Sequence, residues 1–206
     1  MKKSLMILLL AVCLLLCGCG NAKSAPAVST SAASSSESDS AGVFHAEIVI
    51  RDYGVIRIAM DSAQAPLTVA NFVNLVNEGF YDGLTFHRII EGFMMQGGDP
   101  TGTGSGSSSE KIQGEFSANG IANSQSHVRG AVSMARANDM NSASCQFFIV
   151  QKDSTFLDGQ YACFGYVTEG MDVVDAVCEN TPVLDSNGSV APENQPVIES
   201  IRILEE

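Results

Sequence analysis

Phe86-His87-Arg88-Ile89-Ile90-Glu91-Gly92-Phe93-Met94-Met95-Gln96-Gly97-Gly98-Asp99 is the stretch that decides how this chain is read. It places one guanidinium, one amide and several large apolar side chains within fourteen residues. Two short apolar runs, Thr85–Ile90 and Phe93–Gln96, occupy it and read as strands. Strand alternation points His87 to the face opposite Arg88, so His87 is expected to be structural rather than an acid/base partner of the arginine.

Working outward, His45–Ile50 alternates with Ala46, Ile48 and Ile50 on one side, and Val55–Met60 repeats the pattern after Asp52-Tyr53-Gly54. This predicts a β-hairpin. Pro66 stands where a helix can begin, and Val69, Phe72, Val73 and Val76 recur at the spacing of one helical face before Gly79. Further apolar runs at Ala131–Ala135, Phe147–Gln151, Ala162–Val167 and Val197–Leu204 read as strands, with a second helix from Met171 to about Cys178. Many short strands with only two helices point to a closed β-barrel. Two long loop regions, Asp99–Ser109 and Leu184–Pro196, are expected to be functional or mobile.

Two further dense stretches lie downstream. One is Gly130-Ala131-Val132-Ser133-Met134-Ala135-Arg136, followed by Ser144-Cys145-Gln146-Phe147-Phe148-Ile149; the other is Phe156-Leu157-Asp158-Gly159, running into Phe164-Gly165. Together with residues 86–99, in this order and with these separations, they resemble the cyclophilin family of peptidyl-prolyl isomerases. The resemblance covers nearly all of residues 43–206. It implies a mainly β fold, an eight-stranded antiparallel barrel capped by two α-helices, with the substrate groove on the outside of the barrel.

The resemblance also implies a site. Arg88 matches the family's catalytic arginine, and Gln96 the glutamine that supports it and the substrate backbone. Phe93, Met94, Phe148 and Leu157 match the pocket for the proline ring. Ala135, Arg136 and Gln146 match groove positions that contact residues preceding proline, while Phe156 and Tyr161 complete the rim. Many cyclophilins carry tryptophan at the position of Phe156 and histidine at that of Tyr161, and the tryptophan offers cyclosporin a donor that Phe156 lacks. Glu91 and Arg136 stand where proline and asparagine are frequent. The resemblance implies proline-containing peptides as partners and a chemistry that uses no metal or cofactor; with the amino-terminal segment read below, exported proteins are the expected clients, and a monomer is the expected state.

The amino end carries a different message. Lys2 and Lys3 precede an uncharged apolar run, Leu5–Leu16, which has the pattern of a secretory signal and is too short to span a bilayer. Leu16-Cys17-Gly18-Cys19 resembles a bacterial lipobox, with small Gly18 before Cys19, so Cys19 is the expected lipidation site and bulky Leu16 disfavours Cys17. The expected organisation is a lipoprotein signal over residues 1–18, a lipidated Cys19 with a Ser/Ala-rich tether over 19–42, and one isomerase domain over 43–206. The tether has an r.m.s. span of about 25 Å. The expected location is extracytoplasmic, on the membrane surface.

The formal charge is −12. Removing a signal with Lys2 and Lys3 and no acid takes it to −14, which argues against nucleic acid as a partner. Cys145, Cys163 and Cys178 form no Cys-x-x-Cys pair and read as small buried apolar side chains. Gly102-Thr103-Gly104-Ser105-Gly106 lacks the Lys-Ser/Thr ending of a phosphate loop, and no G-x-S-x-G elbow occurs to support a serine hydrolase. His45 and His127 are expected to be structural or superficial.

Overall fold

The computed structural model describes residues 42–205, so the signal, Cys17, Cys19 and nearly all of the tether lie outside the described residues. Strands β1 (Val43–Ile50) and β2 (Gly54–Asp61) pair as the predicted hairpin, from Val43 opposite Asp61 to Ile50 opposite Gly54. Their alternation sends Ala46, Ile48, Ile50, Ile56, Ile58 and Met60 into the core.

Helix α1 (Pro66–Asn77) follows, with Pro66 in its first turn, where a missing N–H costs nothing. Ala65 at its start offers no capping side chain. The carboxylate of Glu115, itself buried, instead accepts the N–H groups of Leu67 and Thr68 at 3.0 and 2.8 Å and the Thr68 hydroxyl at 2.7 Å. This places a negative charge on the free donors at the positive end of the helix. The buried face of α1 centres on Phe72, whose ring lies 5.2 Å from Tyr81, 5.3 Å from Phe164 and 5.5 Å from Phe147.

The remaining elements are β3 (Thr85–Ile90), β4 (Met94–Asp99), β5 (Ala131–Met134), β6 (Phe147–Val150), β7 (Cys163–Glu169), α2 (Met171–Asn180) and β8 (Ile198–Leu204). All strands join one antiparallel sheet in the order β3-β4-β6-β5-β7-β2-β1-β8. The expected barrel is realised as a curled sheet whose edges meet along a short seam rather than a full ladder. There the Gly83 N–H donates to the Ile198 carbonyl, the Ile198 N–H to that of Leu84 and the Phe86 N–H to that of Pro196, at 2.8, 2.8 and 3.0 Å.

Both faces of part of this sheet are covered. In β6, Phe147 and Ile149 enter the main core beneath α1, while Phe148 and Val150 join Met94, Ala131, Leu157 and Cys163 in a smaller apolar cluster on the other face. That second cluster is the floor of the site described below. Cys145, Cys163 and Cys178 are buried free thiols, as expected for small apolar fillers. Among the described residues no helix is long and apolar enough to cross a membrane.

Candidate active site

Strand register assembles a row of side chains across three strands. Arg88 on β3 is paired with Gln96 on β4, and Gln96 with Phe148 on β6. Because residues directly opposite one another share a face, the guanidinium, the amide and the aromatic ring stand side by side. Met94, two residues before Gln96, lies along the same face.

A pocket of about 360 Å³ opens over this row, lined by Arg88, Phe93, Met94, Gln96, Ala135, Arg136, Phe148, Leu157 and Tyr161. Two residues expected in the groove lie beyond this lining. Phe156 is 65% exposed and packs its ring on Phe93 at 5.6 Å, forming an outer rim. Gln146 lines the adjoining cleft and joins the row through Gln96, whose Nε2 donates to its Oε1 at 2.9 Å.

Arg88 is held from both sides. Its Nε–H donates to the carbonyl of Asn187 at 2.8 Å, and Nη1 reaches Gln96 Oε1 at 3.4 Å and Met94 Sδ at 3.8 Å. The guanidinium has five N–H donors, and the pair on Nη2 makes no hydrogen bond among the described residues. Burial lowers the pKa of the group, with Tyr161 and Asp185 acting in the opposite sense. An arginine so perturbed is still a cation at neutral pH.

The Asn187 carbonyl is aimed by a tight turn. Asp185 Oδ1 accepts the N–H groups of Asn187 and Ser189, and the Gly188 carbonyl accepts the Ile89 N–H at 2.8 Å. Gly188 has φ +80°, and a Cβ there would lie 2.1 Å from the Ile89 carbonyl oxygen, so only glycine fits.

His87 departs from the alternation that placed it across the strand from Arg88. The register of β3 shifts between Phe86 and Arg88, so three residues on β3 face Gln96 and Gly97 on β4. This bulge re-aims the side chain. His87 lines a recess of about 340 Å³ that also contains Arg88 and Gln96, and it is only 6% exposed. Among the described residues neither ring nitrogen meets a hydrogen-bond partner, and burial lowers its pKa. It makes no hydrogen bond to Arg88, in keeping with a structural part.

His127 is not superficial: it is fully buried and its ring lies parallel to Phe148, 6.0 Å away. Burial lowers its pKa against the opposing pull of Asp158, so the neutral ring is the form at pH 7. Nδ1–H then donates to Asp158 at 2.8 Å, and Nε2 accepts from the Ser133 hydroxyl at 3.0 Å. Asp158 also accepts the His127 backbone N–H and the Ser126 hydroxyl. This network braces the back of the apolar pocket. Its one sequence-level sign was the position of Asp158 directly after Leu157.

Residues 45–203 match the family described as cyclophilin type peptidyl-prolyl cis-trans isomerase/CLD. Peptidyl-prolyl cis-trans isomerase B of Bacillus subtilis is 42% identical over 145 residues, 70% of this chain and 92% of the relative. Peptidyl-prolyl cis-trans isomerase A of Dickeya dadantii is 40% identical over 156 residues, 73% of this chain and 80% of the relative. The crystal structure of a cyclophilin type peptidyl-prolyl cis-trans isomerase from Cryptosporidium parvum superposes with a TM-score of 0.70 at 30% identity, covering 80% of this chain and 99% of that one. A second crystal structure of that protein, in the presence of the dipeptide Ala-Pro, gives 0.69, again at 30% identity, covering 79% and 99%.

The chain therefore belongs to the cyclophilins. Its activity is peptidyl-prolyl cis-trans isomerisation, EC 5.2.1.8, and its substrates are proline-containing peptides.

Proposed function

We propose that Arg88 catalyses isomerisation by donating from Nη2 to the prolyl nitrogen as the X-Pro bond twists, while the pocket of Phe93, Met94, Phe148 and Leu157 holds the ring. The planar amide resists rotation by ~18–20 kcal/mol, and an X-Pro bond exchanges unaided in roughly tens to hundreds of seconds. Twisting breaks the resonance and returns a lone pair to nitrogen, which the guanidinium then binds more strongly than it binds either planar isomer. That difference is what lowers the barrier. A partly dry wall strengthens the effect, and Gln96 fixes the direction of the donor. Each tenfold in rate requires about 1.4 kcal/mol, so a charge-assisted hydrogen bond together with orientation accounts for several powers of ten.

The observation that carries this reading is the Arg88–Gln96–Phe148 row, in which a tethered cation with open donors borders a pocket whose floor is apolar. The likeness to a crystal structure obtained in the presence of Ala-Pro supports it. Arg88→Ala is expected to lower kcat/KM on an X-Pro peptide by about 10²–10³-fold, the usual cost of removing a transition-state donor. An unchanged rate in the folded variant overturns the mechanism.

We further propose that the clients are exported proteins and that the enzyme is held on the outer face of a membrane by lipid on Cys19. The apolar run Leu5–Leu16 and the Leu16–Cys19 lipobox support this. Cys19→Ala is expected to release the protein from the membrane fraction, whereas Cys17→Ala leaves it there; membrane retention of the Cys19 variant would refute the anchor.

A further inference from the structure

A cleft of about 310 Å³ adjoins the apolar pocket and shares Gln96, Ala135 and Arg136 with it. Beyond these residues its lining includes Lys111 and four serines, and no carboxylate. The formal charge of the whole chain is −12, so two cations on one cleft reverse the prevailing sign.

The cleft is built rather than incidental. Asp99 at the end of β4 turns its carboxylate onto the N–H groups of Thr101, Gly104 and Gly106, which fixes the loop expected to be mobile as one wall. A Cβ on Gly106 would fall 1.9 Å from Asp99 Oδ1, so the loop closes on this carboxylate only with glycine there. Gln146 Nε2 donates to the carbonyls of Gly104 and Gly106 at 3.2 and 2.8 Å. A chain of donors thus runs from Arg88 through Gln96 and Gln146 to this loop, tying the two pockets into one groove. A pre-formed wall loses little freedom when a ligand enters.

The guanidinium of Arg136 stands where the two pockets join. It lies 4.7 Å from the centre of the Tyr161 ring and 5.3 Å from that of Phe116, with Nε donating to the Gln160 carbonyl and Nη1 to that of Ala137. Its Nη2 is left open. Among the described residues neither Arg136 nor Lys111 forms an ion pair, whereas Arg57, Arg129 and Arg202 each hold a carboxylate. The nearby Asp99 carboxylate is already occupied by the loop backbone.

We infer that this cleft receives an acidic side chain, Glu or Asp, from the substrate segment before the proline. This rests on the proposed seating of proline in the neighbouring apolar pocket. The enzyme then favours X-Pro bonds with a carboxylate within the two or three preceding positions, and Lys111 and Arg136 set that preference.

Peptides differing only in Glu, Gln or Lys at each of the three positions before proline provide the test. Isomerisation kinetics give kcat/KM, and fluorescence anisotropy gives Kd independently of turnover. Expected is a Glu-over-Gln preference of roughly three- to tenfold at one position, the size that partly exposed ion pairs support. It should shrink as salt rises towards 1 M, where screening reaches about 3 Å. Lys111→Gln should reduce the preference, and Lys111→Glu combined with Arg136→Gln should reverse it towards Lys. Equal kcat/KM and Kd for all three side chains at every position overturns the inference, as does a Glu preference insensitive both to salt and to these substitutions. Turnover surviving Arg88→Ala would sink the mechanism instead, leaving the charge preference to be read by anisotropy.

Discussion

Gly188→Ala is the substitution that most directly separates the scaffold of the site from its chemistry. The residue touches no substrate, yet its turn presents the Asn187 carbonyl to Arg88. At φ +80° an alanine costs about 1–2 kcal/mol in backbone strain. Its Cβ would also meet the Ile89 carbonyl oxygen at 2.1 Å, so the turn must withdraw from β3. Withdrawal strips the buried Ile89 N–H of its acceptor, a further loss of about 1–3 kcal/mol. The expected destabilisation is about 2–5 kcal/mol, a fall in Tm of roughly 5–15 °C for a domain of this size. Arg88 loses its Nε tether at the same time, and a misplacement of about 1 Å can cost 10²-fold, so kcat/KM should fall about ten- to a hundredfold in protein that circular dichroism shows to be folded. Gly83→Ala is the matched control. Gly83 has φ +81° with nothing within 4 Å of a built Cβ, so it should lose about 1 kcal/mol and keep full activity. If the two variants lose equal Tm and both retain wild-type kcat/KM, the turn does not position the arginine.

Acid should destabilise the fold in two stages. His87 and His127 are both held neutral by burial, with folded pKa values below the usual 6.5, so their contribution is complete above pH 6.5 and declines as pH falls below it. Two such protons limit the slope to about 2.7 kcal/mol per pH unit. Burial acts to raise Asp99 and Asp158, but the hydrogen bonds they accept outweigh it and hold both below 3.8, so a further loss should begin as pH approaches 4 and continue below it. Denaturant unfolding across pH 3–8 measures both stages, and a stability that is flat from pH 7 to 5 refutes the histidine assignment. Burial also pushes the Cys163 thiol up to about 11 and that of Cys178 to about 12. A thiol reagent at pH 8 should therefore modify these cysteines only after denaturant is added; rapid labelling of the native protein would contradict their packing.

Much of this architecture is legible residue by residue. Alternation in Ala46, Ile48 and Ile50 and the helical spacing of Val69, Phe72 and Val76 reflect burial on one face, which local sequence records directly. The residues assembled at the pocket were legible because a dense motif carries them, and β4–β6 register then aligns Gln96 with Phe148. What escaped depends on partners distant in sequence. The bulge at His87 arises from pairing with β4, so strand period alone misplaced the side chain. Glu115 caps a helix 47 residues upstream, and a backbone carbonyl 99 residues away orients Arg88; neither leaves a mark in the composition around its partner. His127 looked ordinary because its neighbours Asp158 and Phe148 come from other elements.

The seam of the curled sheet bears on how the molecule is made. β1, the first strand, lies between β2 and β8, and β3 meets the residues that lead into β8. A ribosome delivers β1 before β8, so the β8-facing edge of β1 stays open until residues 198–204 have followed. Ala46, Ile48 and Ile50 cannot be fully sheltered until residues 198–204 are free to dock. Closing the sheet of this domain therefore waits on β8, the last of its strands in chain order.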